Sequence, residues 1–499
     1  MRISTNMIYN NSMRYMNTSL SRLAEANEQN ATQKRINRPS DDPAGYAEAR
    51  SLDAIMARMD QYSANIGVAE TWLAQADSTL LEASTLMTSI KGLAEQAATE
   101  TMTAENREQV AMQVRELFEQ MITVANASVT GQSLFAGQKT GSAAFRETLF
   151  ATVQDDTLTD AAVLEVAGAS DHSIAVQFTG SGTVGGASDI AYRYSSDGGD
   201  TWTTGTLAAG SDTLNLGGVT VRLASGASLT ATAEDGSEGT SLFVRPSAVY
   251  LGDDQDGAAV RTYGSGQVSA SADGVFSANV TVRIDSNASI PGPYSYSYSL
   301  DGGLSWVDGQ TASGARLPVP GGFLDIASGA GNTLASGDQF TIVPNTASIS
   351  VEISPAGSVV INNVGKDVFG GLYQADGASN ASPVFASDPE KNLFETIGKL
   401  IGYLENNNSD GIGQCLEDLE ASQAHLETCA ADVGARENRL EYAQNTVDIL
   451  RDNAETRLSA VEDADLSTLM LELAKYQYAY SSVLSSSSKI IGMSLLDYI

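Results

Sequence analysis

From Leu52 to Ala97, apolar or small residues recur at Leu52, Ile55, Met59, Tyr62, Ile66, Ala69, Leu73, Ala76, Leu80, Ala83, Met87, Ile90, Ala94 and Ala97. The steps alternate three and four throughout, the spacing of a left-handed coiled-coil seam roughly 70 Å long. The alanines on that seam let a neighbouring helix approach closely. One long core helix in a soluble bundle is the plainer alternative, and the far end of the chain decides against it. There Leu419, Leu426, Val433, Leu440, Val447, Ala454 and Val461 recur every seven residues. Neither stripe buries itself alone, so the two ends must meet. The spacing predicts an α+β multidomain chain: a long coiled-coil-like helical bundle from both chain ends, with inserted all-β sandwich modules.

Outside these seams the ends are weaker. Residues 1–34 are polar, with a loose rhythm at Met13, Met16, Leu20 and Leu23. That is too little apolar surface for a stable lone helix, and predicts a segment that orders only against partners. At the other end the frame slips around Asp463–Asp465 and restarts as Leu466, Leu469, Leu473, Tyr476, Tyr480, Val483, Ser487 and Ile490. Leu20, Leu23, Leu466, Leu469, Leu473, Tyr476, Tyr480 and Val483 are therefore the candidate assembly seam. Between the first two helical patterns, Arg35 to Gly45 reads as a helix stop and restart. Pro39 disfavours helix at Arg38, Asp42 suits a cap, and Pro43 suits a first helical position. Thr103 caps a further helix with the stripe Val110, Val114, Leu117, Met121 and Val124, ending near Gly131. Another starts at Leu393 and breaks at Asp410-Gly411.

From about 142 to 350 the chain is rich in Gly, Ser, Thr and Asp with short alternating apolar runs, the pattern of strands and turns. It repeats itself. Tyr192 to Trp202 (YRYSSDGGDTW) matches Tyr296 to Trp306 (YSYSLDGGLSW) at an offset of 104, and Gly217-Gly218 answers Gly321-Gly322. Ala224–Ala227 answers Ala327–Ala330. Two related β modules follow, joined near Leu251 to Gly257, with Asp-Gly-Gly supplying the positive φ of each tight turn. The expected domains are 1–40 with 465–499, 41–140 with 390–464, the modules 145–250 and 251–346, and a returning segment 347–389.

Chemistry has little to work with. Asp and Glu outnumber Lys and Arg 61 to 28, for a net charge of −33, which argues against nucleic acid and anionic membranes as partners. No apolar run is long enough to span a bilayer. Met1 to Asn11 lacks the apolar stretch and cleavage site of a cleavable secretory signal. The two cysteines, Cys415 and Cys429, lie on one helical pattern about 21 Å apart, beyond disulfide reach. Two histidines, His172 and His425, offer no zinc site or His-based triad, and His425 fits a packed flank position. The acidic pairs Asp155-Asp156 and Asp253-Asp254 lack calcium-loop spacing. No cofactor, metal or catalytic residue is expected.

The hairpins Ser195–Trp202 and Ser299–Trp306 resemble the Asp-box of sialidases and other propeller proteins, which opens an alternative of another class, a glycan-binding or glycan-cleaving surface protein. No Arg cluster accompanies them, and the box is itself a structural turn. A second resemblance covers more of the chain. Asn37, Pro39, Ser40, Asp41, Asp42, Pro43 and Gly45 resemble the N-terminal motif of the flagellin superfamily, and Met1-Arg-Ile-Ser-Thr-Asn6 also fits. Gly434, Arg436 and Asn438, within Val433–Glu441, resemble its C-terminal helix. Leu134–Gly137, Val461–Asp465 and Ser494–Ile499 are similar to its hook-associated members. Ser40-Asp-Asp-Pro-Ala-Gly45 stands where filament flagellins usually read Lys-Asp-Asp-Ala-Ala-Gly. The resemblance spans residues 1–140 and 390–499 and leaves out the β insertion. It implies a non-enzymatic adapter at the hook–filament junction, exported to the extracellular flagellum without a cleavable signal, with filament flagellin as the alternative. Implied partners are copies of itself in a ring, a neighbouring hook-associated protein and flagellin, and a cytoplasmic export chaperone at the C-terminal helix.

Overall fold

The computed structural model describes residues 5–496 apart from 100, 156–157, 233–238, 254–257, 265–267, 275, 277, 328–332, 345–346, 356 and 375–379. Outside the described residues lie Met1 to Ser4, Asp156, Asp254, the end of Ala327–Ala330, most of the expected joint Leu251–Gly257, and Asp497 to Ile499. The described helices are α1 (Thr5–Thr32), α2 (Pro43–Ala97), α3 (Ala104–Ala125), α4 (Gly365–Phe369), α5 (Leu393–Glu405), α6 (Ser409–Glu462) and α7 (Leu466–Leu496). With two sets of β-sheets between α3 and α4, the chain is α+β. It divides into two compact units, Met1–Val68 with Glu352–Ser358 and Arg439–Ile499, and Ala69–Val351 with Val359–Asn438.

In the first unit, α1 and α7 pack along each other. The N-terminal segment thus lies against the same chain's C-terminal helix. The first part of α2 runs antiparallel to the last part of α6. Ser63 meets Gln444 at 3.2 Å, Asp60 meets Arg451 at 2.9 Å and Glu48 meets Arg457 at 3.2 Å. The seam residues Leu52, Met59 and Ile66 are buried on one helix, and Leu440, Val447 and Ala454 on the other.

In the second unit, the seam from Ala69 to Ala97 and the residues Leu419, Leu426 and Val433 are likewise buried. Thr103 caps α3 by accepting a hydrogen bond from the Asn106 amide. Three details depart from the spacing. α3 stops at Ala125, because Thr130-Gly131, both at positive φ, turn a short hairpin between Ser128–Val129 and Gln132–Ser133. Phe118 rather than Leu117 is its core residue, its ring 5.7 Å from that of Phe394. The break after α5 falls at Asn406–Asn408, with Asp410 and Gly411 inside α6, since Asn407 takes φ +50° and the Asn408 side chain accepts from the Gly411 amide at 2.9 Å.

The internal repeat extends to the order of the strands within the two modules. In the first module Ser241–Tyr250, Ile174–Phe178, Ile190–Ser195 and Thr203–Leu207 lie side by side, and Phe145–Gln154 also pairs with Ser241–Tyr250. In the second the order is Gln339–Val343, Val280–Ile284, Tyr294–Ser299 and Val307–Ala312, with Ala259–Tyr263 on the outer side of Gln339–Val343. Three-stranded partners match as well: Val163–Ala167, Thr220–Leu223, Thr213–Asn215 against Ser269–Gly274, Gly322–Ala327, Arg316–Val319. Each module has its own apolar cluster, one around Val176, Phe178 and Val221, the other around Val282, Phe340 and Leu324. The sheet of the first continues into Leu372–Tyr373 and Ser382–Pro383 and packs against α5.

That contact is built on a charge pair the residue pattern did not disclose. Arg245, fully buried, donates to Glu395 of α5 at 2.7 Å and to the Thr152 hydroxyl at 2.6 Å. The Ser247 hydroxyl donates to the other Glu395 oxygen. Burial pushes the Glu395 carboxyl up, but the Arg245 charge and these hydrogen bonds outweigh it and leave it below the usual carboxylate range.

Candidate assembly interface

The chain turns twice where the first unit changes from long helices to terminal ones, and the two turns are tied together. The Arg35 amide donates to the Glu462 carbonyl at 2.7 Å, and the Ala464 amide to the Gln33 carbonyl at 3.0 Å. Lys34 bridges Asp463 in antiparallel fashion and its ammonium lies 2.9 Å from Glu462. The Arg35 guanidinium donates to the Val461 carbonyl at 2.7 Å. Asp465 accepts from the Thr468 hydroxyl at 2.9 Å and caps α7 through the Thr468 and Ser467 amides, bonds that hold its carboxyl below the usual range.

The Arg35–Gly45 motif is the inner half of this junction. Asp41 accepts from the amides of Asn37 and Arg38 at 3.1 and 2.9 Å, closing the loop that Pro39 begins. Asn37 donates to the Lys34 carbonyl at 3.1 Å. Asp42 accepts from the Gly45 amide at 3.0 Å, capping α2 just before Pro43. Gly45 is closely packed: a Cβ would sit 2.6 Å from buried Ile36 Cδ1 and 2.7 Å from an Asp42 oxygen, so those side chains would have to shift to admit one. Ser40 is exposed and interacts with its neighbour Asp41. In the second unit Arg436 donates to the Asn362 carbonyl at 3.1 Å and the Asn363 side chain at 3.0 Å, fastening the returning segment to α6. Asn438 donates to the Gly434 carbonyl at 3.0 Å, and nothing lies within 4 Å of a Cβ built on Gly434.

The candidate seam residues do not share one environment. Leu469 is buried; Leu23, Leu473, Tyr476, Tyr480 and Val483 are half-buried where α1 and α7 lie together; Leu20 and Leu466 are exposed. A heptad seam is used first by the nearest helix, and here that is the chain's own. A second set of apolar side chains remains in solvent: Met470, Leu471, Tyr478 and Leu484 on α7, and Met7 and Tyr15 on α1. Leu471 and Tyr478, seven residues apart and 73% and 78% exposed, lie on one face of α7. Their spacing was the available signal, masked by the stronger seam beside it.

The Asp-box turns spend their chemistry on themselves. Asp197 accepts from the Ser195 hydroxyl at 2.6 Å, from the Thr201 amide at 2.9 Å and from the Thr201 hydroxyl. Those bonds hold its carboxyl down at about 2. Asp301 does the same with Ser305 and Ser299 and is likewise lowered. An arginine stacks on each tryptophan, Arg193 on Trp202 at 4.7 Å and Arg283 on Trp306 at 4.2 Å. The carboxylates of Asp197 and Asp301 are thus engaged within their own turns. The first turn is seated on the helical layer: a Cβ on Gly198, at φ +68°, would meet the Glu405 carbonyl oxygen at 2.8 Å, whereas Gly302, at φ +71°, has nothing within 4 Å. Both alanine variants strain the backbone, but Gly198→Ala also overpacks. It is expected to lower stability by about 1 kcal/mol more than Gly302→Ala, read as a difference in urea midpoint.

Both thiols are quiet. Burial pushes Cys415 up to about 12 and Cys429 up to about 11. His425 bonds the Asp367 carbonyl at 2.8 Å and meets the Phe385 ring edge-on. Among the described residues no cluster of His, Cys, Asp or Glu is arranged to hold a metal ion, and no helix is long and apolar enough to cross a membrane.

Comparison with known proteins places the likeness in these ends. Residues 3–140 match the bacterial flagellin N-terminal helical region and residues 416–499 the bacterial flagellin C-terminal helical region. Flagellar hook-associated protein 3 of Escherichia coli (strain K12) is 30% identical over 148 residues, 30% of this chain and 47% of that protein. A flagellin of Clostridium tyrobutyricum is 28% identical over 140 residues, 28% of this chain and 37% of the relative. The chain thus spans less than half the length of the curated relatives it matches. The crystal structure of Xanthomonas campestris FlgL aligns over 82% of this chain and 99% of its own at 14% identity with a TM-score of 0.31, too loose to support an argument.

Proposed function

We propose that this chain is a structural subunit of the bacterial flagellum, an adapter at the hook–filament junction that assembles through its terminal helices. One observation carries the reading: the two chain ends that match the flagellin end regions are tied to each other at Gln33–Arg35 and Val461–Ala464 and continue as a packed helix pair. On this reading residues 1–40 with 465–499 form the assembling layer, and 41–140 with 390–464 a coiled-coil-like layer around it. The β modules, each a small sandwich, project as additions. Copies of the chain pack side by side in a ring, through Leu20 and Leu466 together with Leu471 and Tyr478. The ring touches a neighbouring hook-associated protein on one side and flagellin on the other. Before export, a cytoplasmic chaperone covers the C-terminal helix. No step calls for a cofactor or an active site.

The flagellin relative keeps a second reading alive, a subunit repeated along the filament. Immuno-electron microscopy on cells lacking the native copy and carrying a tagged one separates the two. Label at a single point where hook meets filament, with swimming restored, is the expected result. Label along the whole filament assigns the chain to the filament, and absence from the appendage overturns both.

A further inference from the structure

α5 has 13 residues, and ten of them are buried, with Leu393, Phe394, Ile397, Leu400 and Ile401 fully enclosed. A helix this short is marginal alone, and one apolar on nearly every side needs cover on more than one flank. α3 supplies one cover, through Phe118 on Phe394 and through Arg115, whose guanidinium lies 2.8 Å from Glu405. The first β module supplies another. Its strands Phe145–Gln154 and Ser241–Tyr250 have ten residues each, against five each in Ala259–Tyr263 and Gln339–Val343 of the second module. On the longer pair, the Phe145 ring lies 4.9 Å from Phe394 and the Phe243 ring 5.0 Å from Tyr403, beside the buried Arg245–Glu395 pair. Two glycines one turn apart on α5 let the sheet come this close. A Cβ on Gly398 would collide with the Pro246 carbonyl oxygen, and one on Gly402 with the Phe243 ring. The Ser173 amide also donates to Glu405, at 2.6 Å.

The second module closes on itself. Among the described residues its apolar cluster draws its members from 258–342, whereas that of the first takes in Leu372 and Ala381 from the returning segment. Its first and last strands meet as partners at Ala259 and Val343. The chain on either side of it, at Asp253 and Ala347, lies against one glycine, Gly137. The two modules share a repeat but not a role. We infer that the first module is a structural brace that holds α5 in place against α3, and that the second is a self-contained insert the rest of the fold does not need.

Each module begins and ends on an antiparallel pair, Phe145 with Tyr250 and Ala259 with Val343, so a two-residue Asn-Gly turn can replace either one. Hydrogen exchange of the purified chains, followed by mass spectrometry, reads the α5 amides at 393–405. Replacing 260–342 should leave their exchange within about twofold of the parent. Replacing 146–249 should speed it by roughly a hundredfold or more, although Phe145 and Tyr250 are kept. Phe243→Ala tests the same seat in the full chain, because Leu242 and Val244 belong to the module's own cluster while Phe243 packs on Tyr403 of α5. It should speed α5 exchange by about fivefold or more and leave strand Ile174–Phe178 within about twofold of the parent. Unchanged α5 exchange after replacement of 146–249 or in Phe243→Ala would overturn the brace. Acceleration of about tenfold or more on loss of 260–342 would overturn the independence of the second module. Purified protein suffices for every arm, so neither outcome depends on what the chain assembles into.

Discussion

Glu395→Ala is expected to destabilise the second unit by about 3–5 kcal/mol, because it leaves the Arg245 guanidinium buried without its counter-charge. The loss is larger than that of the pair itself: Arg245 stays desolvated, and the Ser247 hydroxyl loses its acceptor. Replacing both partners, as Arg245→Met with Glu395→Leu, removes the charge together with its desolvation. That double variant should lie within about 1–2 kcal/mol of the parent. Urea unfolding followed by tyrosine and tryptophan fluorescence measures both, and equal losses in the single and double variants would refute the account. The pair also sets a pH dependence. Glu395 is lowered in the folded state, so its contribution is present above the unfolded carboxylate value of about 4.3. It is lost as pH falls through the folded value. The parent should therefore lose stability on acidification in a window that the double variant lacks.

This pair also marks where the residue pattern stops being informative. Leu52 to Ala97 could be read because a seam of fixed period has one way to be buried, and most of its positions are buried. The two β modules could be read because a duplicated Asp-Gly-Gly turn fixes the same local backbone twice, at Gly198-Gly199 and Gly302-Gly303, all at positive φ. Arg245 could not. In strand Ser241–Tyr250 it looks like any solvent-facing charge, and its partner lies 150 residues away on a helix. The arginines over Trp202 and Trp306 were hidden for a related reason. Arg193 sits on the same strand as its turn, whereas Arg283 comes from the neighbouring strand, opposite Ser297, so the sequence repeat does not align them. Helix ends were misjudged where an asparagine rather than a glycine made the break, at Asn407 and Asn408. The motif from Asn37 to Gly45 was visible as a cap; that the residues just before it, Gln33 to Arg35, are bound to the turn before α7 depends on a pairing more than 400 residues distant, which no local pattern encodes.

The same distinction between near and far partners gives the largest expected effect on assembly. Leu471→Asp with Tyr478→Asp is expected to abolish incorporation into the appendage while leaving the monomer folded. Both side chains are already in solvent in the single chain, so a carboxylate there disturbs nothing within it. Between copies, each would be buried against apolar surface, at several kcal/mol per unpaired charge, and every interface in a ring repeats that penalty. Leu469→Asp should behave in the opposite order. Leu469 is buried at the start of α7, so the charge falls inside the single chain and should separate α1 from α7 before any assembly begins. Circular dichroism and limited proteolysis of the purified monomers distinguish the two. The double variant should keep the parent's helical signal and resist proteolysis as the parent does, and the Leu469 variant should lose helix and be trimmed from both ends. If the double variant restores swimming in cells lacking the native copy, the exposed face of α7 is not where copies meet. The half-buried seam residues Leu473, Tyr476 and Tyr480 would then have to exchange their own α1 for a neighbour's during assembly.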